Sequence, residues 1–475
     1  MRSFSGRHEW RLWQVLLLDY YFLTMQALLL RYDKHIGYNM KQEIQKRIDQ
    51  IKAGQIPDGY SRTSLGIFPC DWEIDKSFSE LFSFHSNLGK SREELCDNGI
   101  CYLHYGDMHR NSSYIAKYSD YLYEPKYDIS LFGKEDFLMQ DGDIAFLDAS
   151  EDLSGTSRAV LIDNPDNEPF IAGLHTILAK ERGTAFAKYF KQYITISQDV
   201  RKQFQRLAVG FKVYGLNKDT LGWIRISYPK SIKEQEKIAQ VLMTWDKAIE
   251  LQEKYIRKLN LNKKILMHCL FKSEGDWRSE KLEKLIVLLT SGGTPPTSNN
   301  AYFNGDVIWV SIDDMSKAEK YIDNSLRKLT NLGLENSSAK LFPAGTVLYA
   351  MYASIGKTAI AKVSCATSQA ILGIVADENK LDNEYLYYYL CYIQERILLQ
   401  GQKGTQSNLN KMIVSKFDID LPYVDGEIDI GRQKLIAKIL SNADEGIILQ
   451  NQKLEKLKEQ RKSLQQLLLT GIVRV

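Results

Sequence analysis

The strongest constraint on this chain is a long helix written twice. With an offset of 198 positions, Gln235-Glu236-Lys237-Ile238-Ala239-Gln240-Val241-Leu242 aligns with Gln433-Lys434-Leu435-Ile436-Ala437-Lys438-Ile439-Leu440. Asp246 falls on Asp444, Ile249 on Ile447, Gln252 on Gln450 and Leu259 on Leu457. Lys263-Lys264 falls on Arg461-Lys462, and Leu266 and Leu270 fall on Leu464 and Leu468. An internal repeat of this length sets the architecture before any single motif does.

Spacing identifies both copies as helices. In the first, Ile238, Leu242, Trp245, Ile249, Gln252, Ile256, Leu259, Leu266 and Leu270 stand three or four apart, apart from one step. In the second, Ile436, Leu440, Ala443, Ile447, Gln450, Leu454, Leu457, Leu464 and Leu468 repeat the pattern. This is a coiled-coil seam in which Lys263 and Arg461 fill the remaining slot. Gln252 and Gln450 are polar seam residues of the kind that fix register at some cost in stability. At 1.5 Å per residue, about 38 residues give a rod of roughly 57 Å. Two separate amphipathic helices, each on its own domain, rarely need so long and narrow a stripe.

The duplication extends beyond the helices. Asp71-Trp72-Glu73 recurs as Asp276-Trp277-Arg278, and the run from Ile100 to Met108 recurs from Val307 to Met315. Asp141-Gly142-Asp143-Ile144-Ala145-Phe146 recurs as Ala344-Gly345-Thr346-Val347-Leu348-Tyr349. Strand-like runs end at Pro229 and at Pro422, each just before a helix copy. Short alternating strands (Ile100 to Tyr105, Ile144 to Leu147, Val307 to Ile312, Val347 to Met351) mix with helical stretches (Ala185 to Lys202, Asn383 to Leu399). The expected class is therefore α+β. Two tandem globular domains are joined by two long helices packed as an antiparallel coiled coil.

The expected boundaries are 1–57 for an N-terminal extension and short helix, and 58–230 for the first domain. The first long helix takes 231–272, the second domain 273–423 and the second long helix 424–475. Met40 to Ile48 reads as the short N-terminal helix, and Met40 is an alternative start. Leu12 to Leu30 is apolar and near membrane-spanning length, but Gln14, Asp19, Thr24 and Gln26 interrupt it.

A length of 475 residues is ample for two cores. A net charge of +3 neither demands nor excludes nucleic acid, because a local patch decides that. Six scattered cysteines show no zinc-ligand spacing and no secreted disulfide framework, so a reduced cytoplasm is the expected setting. No metal site is expected. Enzyme motifs fail on inspection. Ile355-Gly356-Lys357-Thr358 ends like a phosphate-binding loop, but Met351 stands where its first glycine belongs. Asp420-Leu421-Pro422-Tyr423 resembles a methyltransferase loop without the glycine-rich cofactor loop that should accompany it. No catalytic residue is assigned, and the chain reads as a binder.

Several of these segments carry a family resemblance. The Pro-terminated strand followed by Ile-x-x-Gln at the helix entry (Pro229, Ile232, Gln235; Ile430, Gln433) resembles the type I restriction-modification specificity subunit. So do Gly293-Thr294-Pro295, the run Tyr302 to Val310, Ser354 to Ile360, Gly404 to Leu409 and Gln465 to Gly471. The resemblance covers about residues 40–475. In the first half Ser86-Asn87-Leu88-Gly89 replaces the Gly-Thr-Pro turn, and Gly155-Thr156-Ser157-Arg158 stands roughly where Ser354 to Thr358 would be.

The resemblance implies a non-catalytic DNA-recognition subunit with two target-recognition domains. Each would read one half of a bipartite, asymmetric site in double-stranded DNA. The helices would act as a spacer and dock two modification (methyltransferase) subunits. S-adenosylmethionine, ATP and Mg would sit on partner subunits, among them restriction (translocase/endonuclease) subunits, with no cofactor on this chain. Candidate DNA-contacting residues are Thr294, Ser298, Asn299, Asn300, Ser354, Lys357, Lys403, Thr405, Gln406 and Asn408 in the second half. In the first half they are His109, Arg110, Asn111, Arg158 and Lys212. Asn and Gln suit adenine, and Arg and Lys suit guanine. A polar turn in solvent is the competing explanation for each. Competing functions are a coiled-coil adaptor without a DNA role, a self-sufficient DNA methyltransferase or nuclease, and an ATP-binding protein.

Overall fold

The computed structural model describes residues 38–110, 114–122, 124–128, 137–150, 158–207, 214–272, 275–352, 354–402 and 409–475. The chain divides into two compact units. One comprises Met1–Leu251 with Leu454–Val475, and the other Gln252–Lys453. The first long helix runs Ile232–Leu270 and the second Ile430–Leu469, so each gives one half to each unit.

Both units are built on the same five-stranded sheet. In the first its order is Phe82–His85, Thr176–Glu181, Ile144–Leu147, Ala159–Asp163, Ile115–Lys117. In the second it is Ile286–Ser291, Ile371–Ala376, Val347–Ala350, Thr358–Ala361, Tyr321–Ile322. In each sheet the last pair is parallel and the others antiparallel. Ile144–Leu147 and Val347–Ala350 are buried along their whole length, as central strands covered on both faces must be. A smaller sheet around Ile100–Leu103, or around Phe303–Val310, completes each domain. The mixed sheets with separate helices give the α+β class expected from sequence.

The stretch expected as one helix from Ala185 to Lys202 is instead two, Lys188–Thr195 and Gln198–Leu207. The β-branched run Ile194-Thr195-Ile196 disfavours helix. The Thr195 hydroxyl donates back to Lys191 O at 2.7 Å, and the Ser197 hydroxyl accepts from Val200 N at the start of the next helix. The second-unit counterpart lacks that run and continues as Asn383–Gln402. The N-terminal helix spans Tyr38–Lys52, and Arg47 donates to Ile472 O at 3.0 Å. The apolar stretch 12–30 lies outside the described residues. Among the described residues no helix is long and apolar enough to cross a membrane.

Within each unit the two helix halves run antiparallel and bury their shared face. In the first unit Ile238, Leu242 and Leu468 are at most 1 % exposed and join the domain core. In the second, Ile436 and Leu440 join the core of that domain. Ile256, Ile447 and Leu454 are buried too, while Ile249, Leu259, Gln450 and Leu457 are half-buried. Gln252 is fully buried, and its Nε2 donates to Gln450 O at 3.1 Å and Gln450 Oε1 at 3.0 Å. Repeat-equivalent residues thus meet each other.

The basic seam residues have specific partners. Arg461 binds Asp246 with Nε to Oδ1 at 2.8 Å and Nη2 to Oδ2 at 3.2 Å, and Tyr193 donates to the same carboxylate at 2.7 Å. In the second unit Lys263 reaches Asp444 at 2.5 Å, and Tyr388 donates to Asp444 at 2.8 Å. Burial first, and then the adjacent carboxylate, push both phenols far above their ordinary range. Each globular domain is thereby tied to its helix pair through one tyrosine and one carboxylate.

The Ile-x-x-Gln entry has a structural role as well. Gln235 is fully buried. Its Oε1 accepts from Ala187 N at 2.7 Å, while Nε2 donates to Ala185 O and Pro229 O at 2.9 and 2.8 Å. Gln433 accepts from Asp382 N at 2.9 Å and donates to Lys380 O at 3.0 Å. One amide side chain serves as both donor and acceptor, which no apolar residue of that size can do. In both units it clamps the loop that precedes the docking helix, Lys188–Thr195 or Asn383–Gln402.

Candidate nucleic-acid interface

In each domain several loops converge on one tight turn. In the second unit this is 368–370, between Cys365–Thr367 and Ile371–Ala376. Gly293 N donates to Thr367 O at 2.9 Å, the Thr294 hydroxyl donates to Gln369 Oε1, and Met351 N donates to Ala370 O at 2.9 Å. The Gly-Thr-Pro loop and the hairpin loop 351–357 therefore sit at the same end of the domain. Gly292 lies so close to the turn that a Cβ there would come 2.0 Å from Thr367 O. Trp309 Nε1 donates to Gly293 O at 2.9 Å and fixes the loop from below.

The first unit repeats this plan with other residues. Its turn is 173–175. Leu88 N donates to Ala172 O at 2.9 Å, Asn87 Nδ2 to Thr176 O at 2.7 Å, and Asp148 N to His175 O at 3.1 Å. Ser86-Asn87-Leu88-Gly89 thus occupies the place of Gly293-Thr294-Pro295. Tyr102 stands where Trp309 stands, and its hydroxyl donates to Leu88 O. Gly173 passes so near that a Cβ would lie 2.3 Å from Leu103 O.

The candidate contact residues that are described stand in different states. Ser298, Asn299 and Asn300 are exposed, and the Asn299 side chain accepts from Ala301 N at 3.1 Å. Ser354 is half-buried and shares a hydrogen bond of 3.2 Å with Ser316, which ties the hairpin loop to the helix Ile312–Lys317. Gly356 has φ +78°, so the loop closes as a tight turn, with Gly356 N donating to Ala350 O at 2.9 Å. Lys357 Nζ donates to Ala318 O at 2.9 Å. Its repeat equivalent is Arg158, whose guanidinium lies 5.4 Å over the Tyr114 ring, and burial lowers its pKa. Both cations are thus engaged with their own domain. His109 is exposed at the end of Tyr105–Arg110. Asn111, Lys212, Lys403, Thr405, Gln406 and Asn408 lie outside the described residues, as does the side chain of Arg110.

Three residues at the first turn had no signal in the sequence. His175 Nδ1 lies 3.0 Å from Asp148 Oδ1, and its ring meets Tyr105 edge to face at 5.2 Å. Tyr105 also meets His109 at 6.4 Å. The nearby His104 is buried and accepts from Gly106 N at 3.1 Å through Nδ1, which gives it a turn-holding role. Among the described residues, no group of three or more His, Cys, Asp or Glu is arranged to hold a metal ion.

Comparison with known proteins agrees with this duplicated plan. A chain named as the specificity subunit of the MjaX type I restriction enzyme of Methanocaldococcus jannaschii is 25 % identical over 451 residues, 88 % of this chain and 97 % of that one. The EcoR124I/EcoR124II specificity subunit of Escherichia coli is 26 % identical over 226 residues, 45 % of this chain and 53 % of that one. A solved structure concerned with complex assembly and conformational transition of the type I R-M system shares the fold. Its TM-score is 0.58 at 15 % identity, and the match covers 86 % of this chain and 99 % of that one. The model of the type I restriction modification DNA specificity domain matches twice, over residues 69–261 and 274–459, and the chain belongs to that family.

Proposed function

We propose that this chain is the sequence-reading subunit of a type I restriction-modification complex and that its two domains read the two halves of a bipartite, asymmetric DNA site. The observation that carries this reading is the repeated turn. The same scaffold, with the same strand order and loop anchors, has Asn87, Asp148 and His175 at the turn in one unit, and Thr294, Ala370 and the buried Met351 in the other. One framework carrying two different loop chemistries suits two different base sequences. The two long helices join the readers and form the docking surface for two modification subunits. Those partners supply S-adenosylmethionine and methylate adenine. Restriction subunits supply ATP- and Mg-dependent translocation and cleavage in the cytoplasm. This chain contributes specificity rather than chemistry.

Mapping of methylated adenines in cells with and without this chain, beside a modification partner, tests the proposal. A split motif that appears only with the chain supports it. Methyl transfer or cleavage by the purified single chain overturns it.

A further inference from the structure

Among the described residues, the first domain carries a ring cluster that has no counterpart at the matching turn of the second. His175 sits on the turn where the loops converge, with φ +60°, a left-handed conformation that few side chains adopt. It is held there from two sides. Asp148 N donates to its carbonyl at 3.1 Å, and the Asp148 carboxylate lies 3.0 Å from its Nδ1. Tyr105 meets the ring edge to face at 5.2 Å, and the same tyrosine meets His109 at 6.4 Å. The His175 side chain is nonetheless 46 % exposed. At the equivalent position the second domain has Ala370, with Met351 in the place of Asp148, and neither side chain offers a donor or a strong acceptor.

An ionised carboxylate only accepts hydrogen bonds, so the Asp148 contact places the imidazole proton on Nδ1. In the tautomer with its proton on Nδ1, the ring offers Nε2 as an acceptor. In the major groove the matching donors are the exocyclic amino groups of adenine and cytosine. We propose that His175 is a specificity-determining residue of the first domain, oriented by Asp148 and Tyr105 to accept from the amino group of an adenine or cytosine in that domain's half-site. The inference rests on the DNA-reading function proposed above. Asp148 is a positioning residue: it acts through the ring.

The test uses the full chain assembled with a modification subunit and a duplex library randomised in both half-sites, with methylated sequences as the readout. His175→Gly removes the ring and suits the positive φ, so the turn is kept. It is expected to lower discrimination at one base pair of the first half-site by roughly ten-fold, with the second half unchanged. Asp148→Ala keeps the ring but releases it, and is expected to relax the same base pair to a smaller extent. His175→Gln offers a carbonyl acceptor and an amide donor, the pair that reads adenine, and is expected to restore discrimination where that base is adenine. An unchanged recognition sequence in His175→Gly, with an unchanged melting temperature, overturns the assignment, as does relaxation confined to the second half-site. If wild-type complex shows no sequence preference at all, the DNA-reading function itself fails, and that outcome is distinct from both.

Discussion

The carboxylate that joins each globular domain to its helix pair can be tested by a double-mutant cycle. In the second unit Lys263, Asp444 and Tyr388 form one node, with contacts of 2.5 and 2.8 Å. Lys263 also lies 5.4 Å over the Tyr388 ring. The Lys263 and Asp444 side chains are 20 % and 19 % exposed. Removing one member of a fully buried pair costs about 3–5 kcal/mol, because the other charge is left without compensation. Partial exposure lets water solvate that charge, so Lys263→Met is expected to cost about 2–3 kcal/mol. Asp444→Asn keeps an acceptor for Tyr388 and is expected to cost about 1–2 kcal/mol. The double variant is expected to cost less than the sum, with a coupling of about 1–2 kcal/mol. Urea unfolding of the full chain, read by fluorescence and by amide exchange across residues 252–270, measures each term. A coupling below about 0.3 kcal/mol would mean that the pair behaves like an ordinary surface contact, and the anchoring role would be refuted.

Other outcomes follow from the same geometry. Gln235→Leu and Gln433→Leu should each cost about 2–3 kcal/mol despite greater apolarity, since buried amide and carbonyl groups lose their partners; thermal melts check this. Gln252 Oε1 is buried without a hydrogen-bond partner, so Gln252→Leu is expected to stabilise the chain by about 1 kcal/mol in urea titration. Burial, opposed by the Gln140 amide and by Lys180 and Lys191, raises the Asp143 carboxyl to about 6. The folded state therefore holds that proton more tightly than the unfolded state. Asp143 favours folding most below the ordinary carboxylate range, and this contribution is lost as pH rises through about 6. Asp143→Asn should gain stability relative to wild type at pH 7.5 and little at pH 4, as paired melts would show. Adding seven residues to both long helices, near Gln252 and near Gln450, lengthens them by about 10.5 Å, or roughly three base pairs of DNA. The complex should then recognise a longer spacer or bind poorly; an unchanged site and affinity would remove the helices as the ruler.

What the sequence made legible was periodic or repeated. Ile238, Leu242, Ile436 and Leu440 emerge as core residues because a seam repeats every three or four positions and a core must collect them. Of the domain strands only a few, such as Ile144–Leu147 and Val347–Ala350, were legible, as short apolar runs that the structure buries on both faces, and the quoted motifs pointed to the family to which the chain belongs. Contacts between residues distant in sequence were not legible. His175 gains its setting from Tyr105 and Asp148, and only the folded turn brings these together. Lys357 and Arg158 read as loop cations, yet their long stems turn back to Ala318 O and the Tyr114 ring. Local sequence carries no record of that direction. Gln235 and Gln433 stood out as a motif, but their roles as loop clamps needed coordinates.

In the proposed function, two separately folded readers each specify one half of the DNA site. Replacing residues 275–422 with the corresponding domain of another specificity subunit, and mapping methylated adenines across a genome, tests it most directly. One half of the split motif is expected to change while the other half stays as it was. A change in both halves, or in neither, would contradict it.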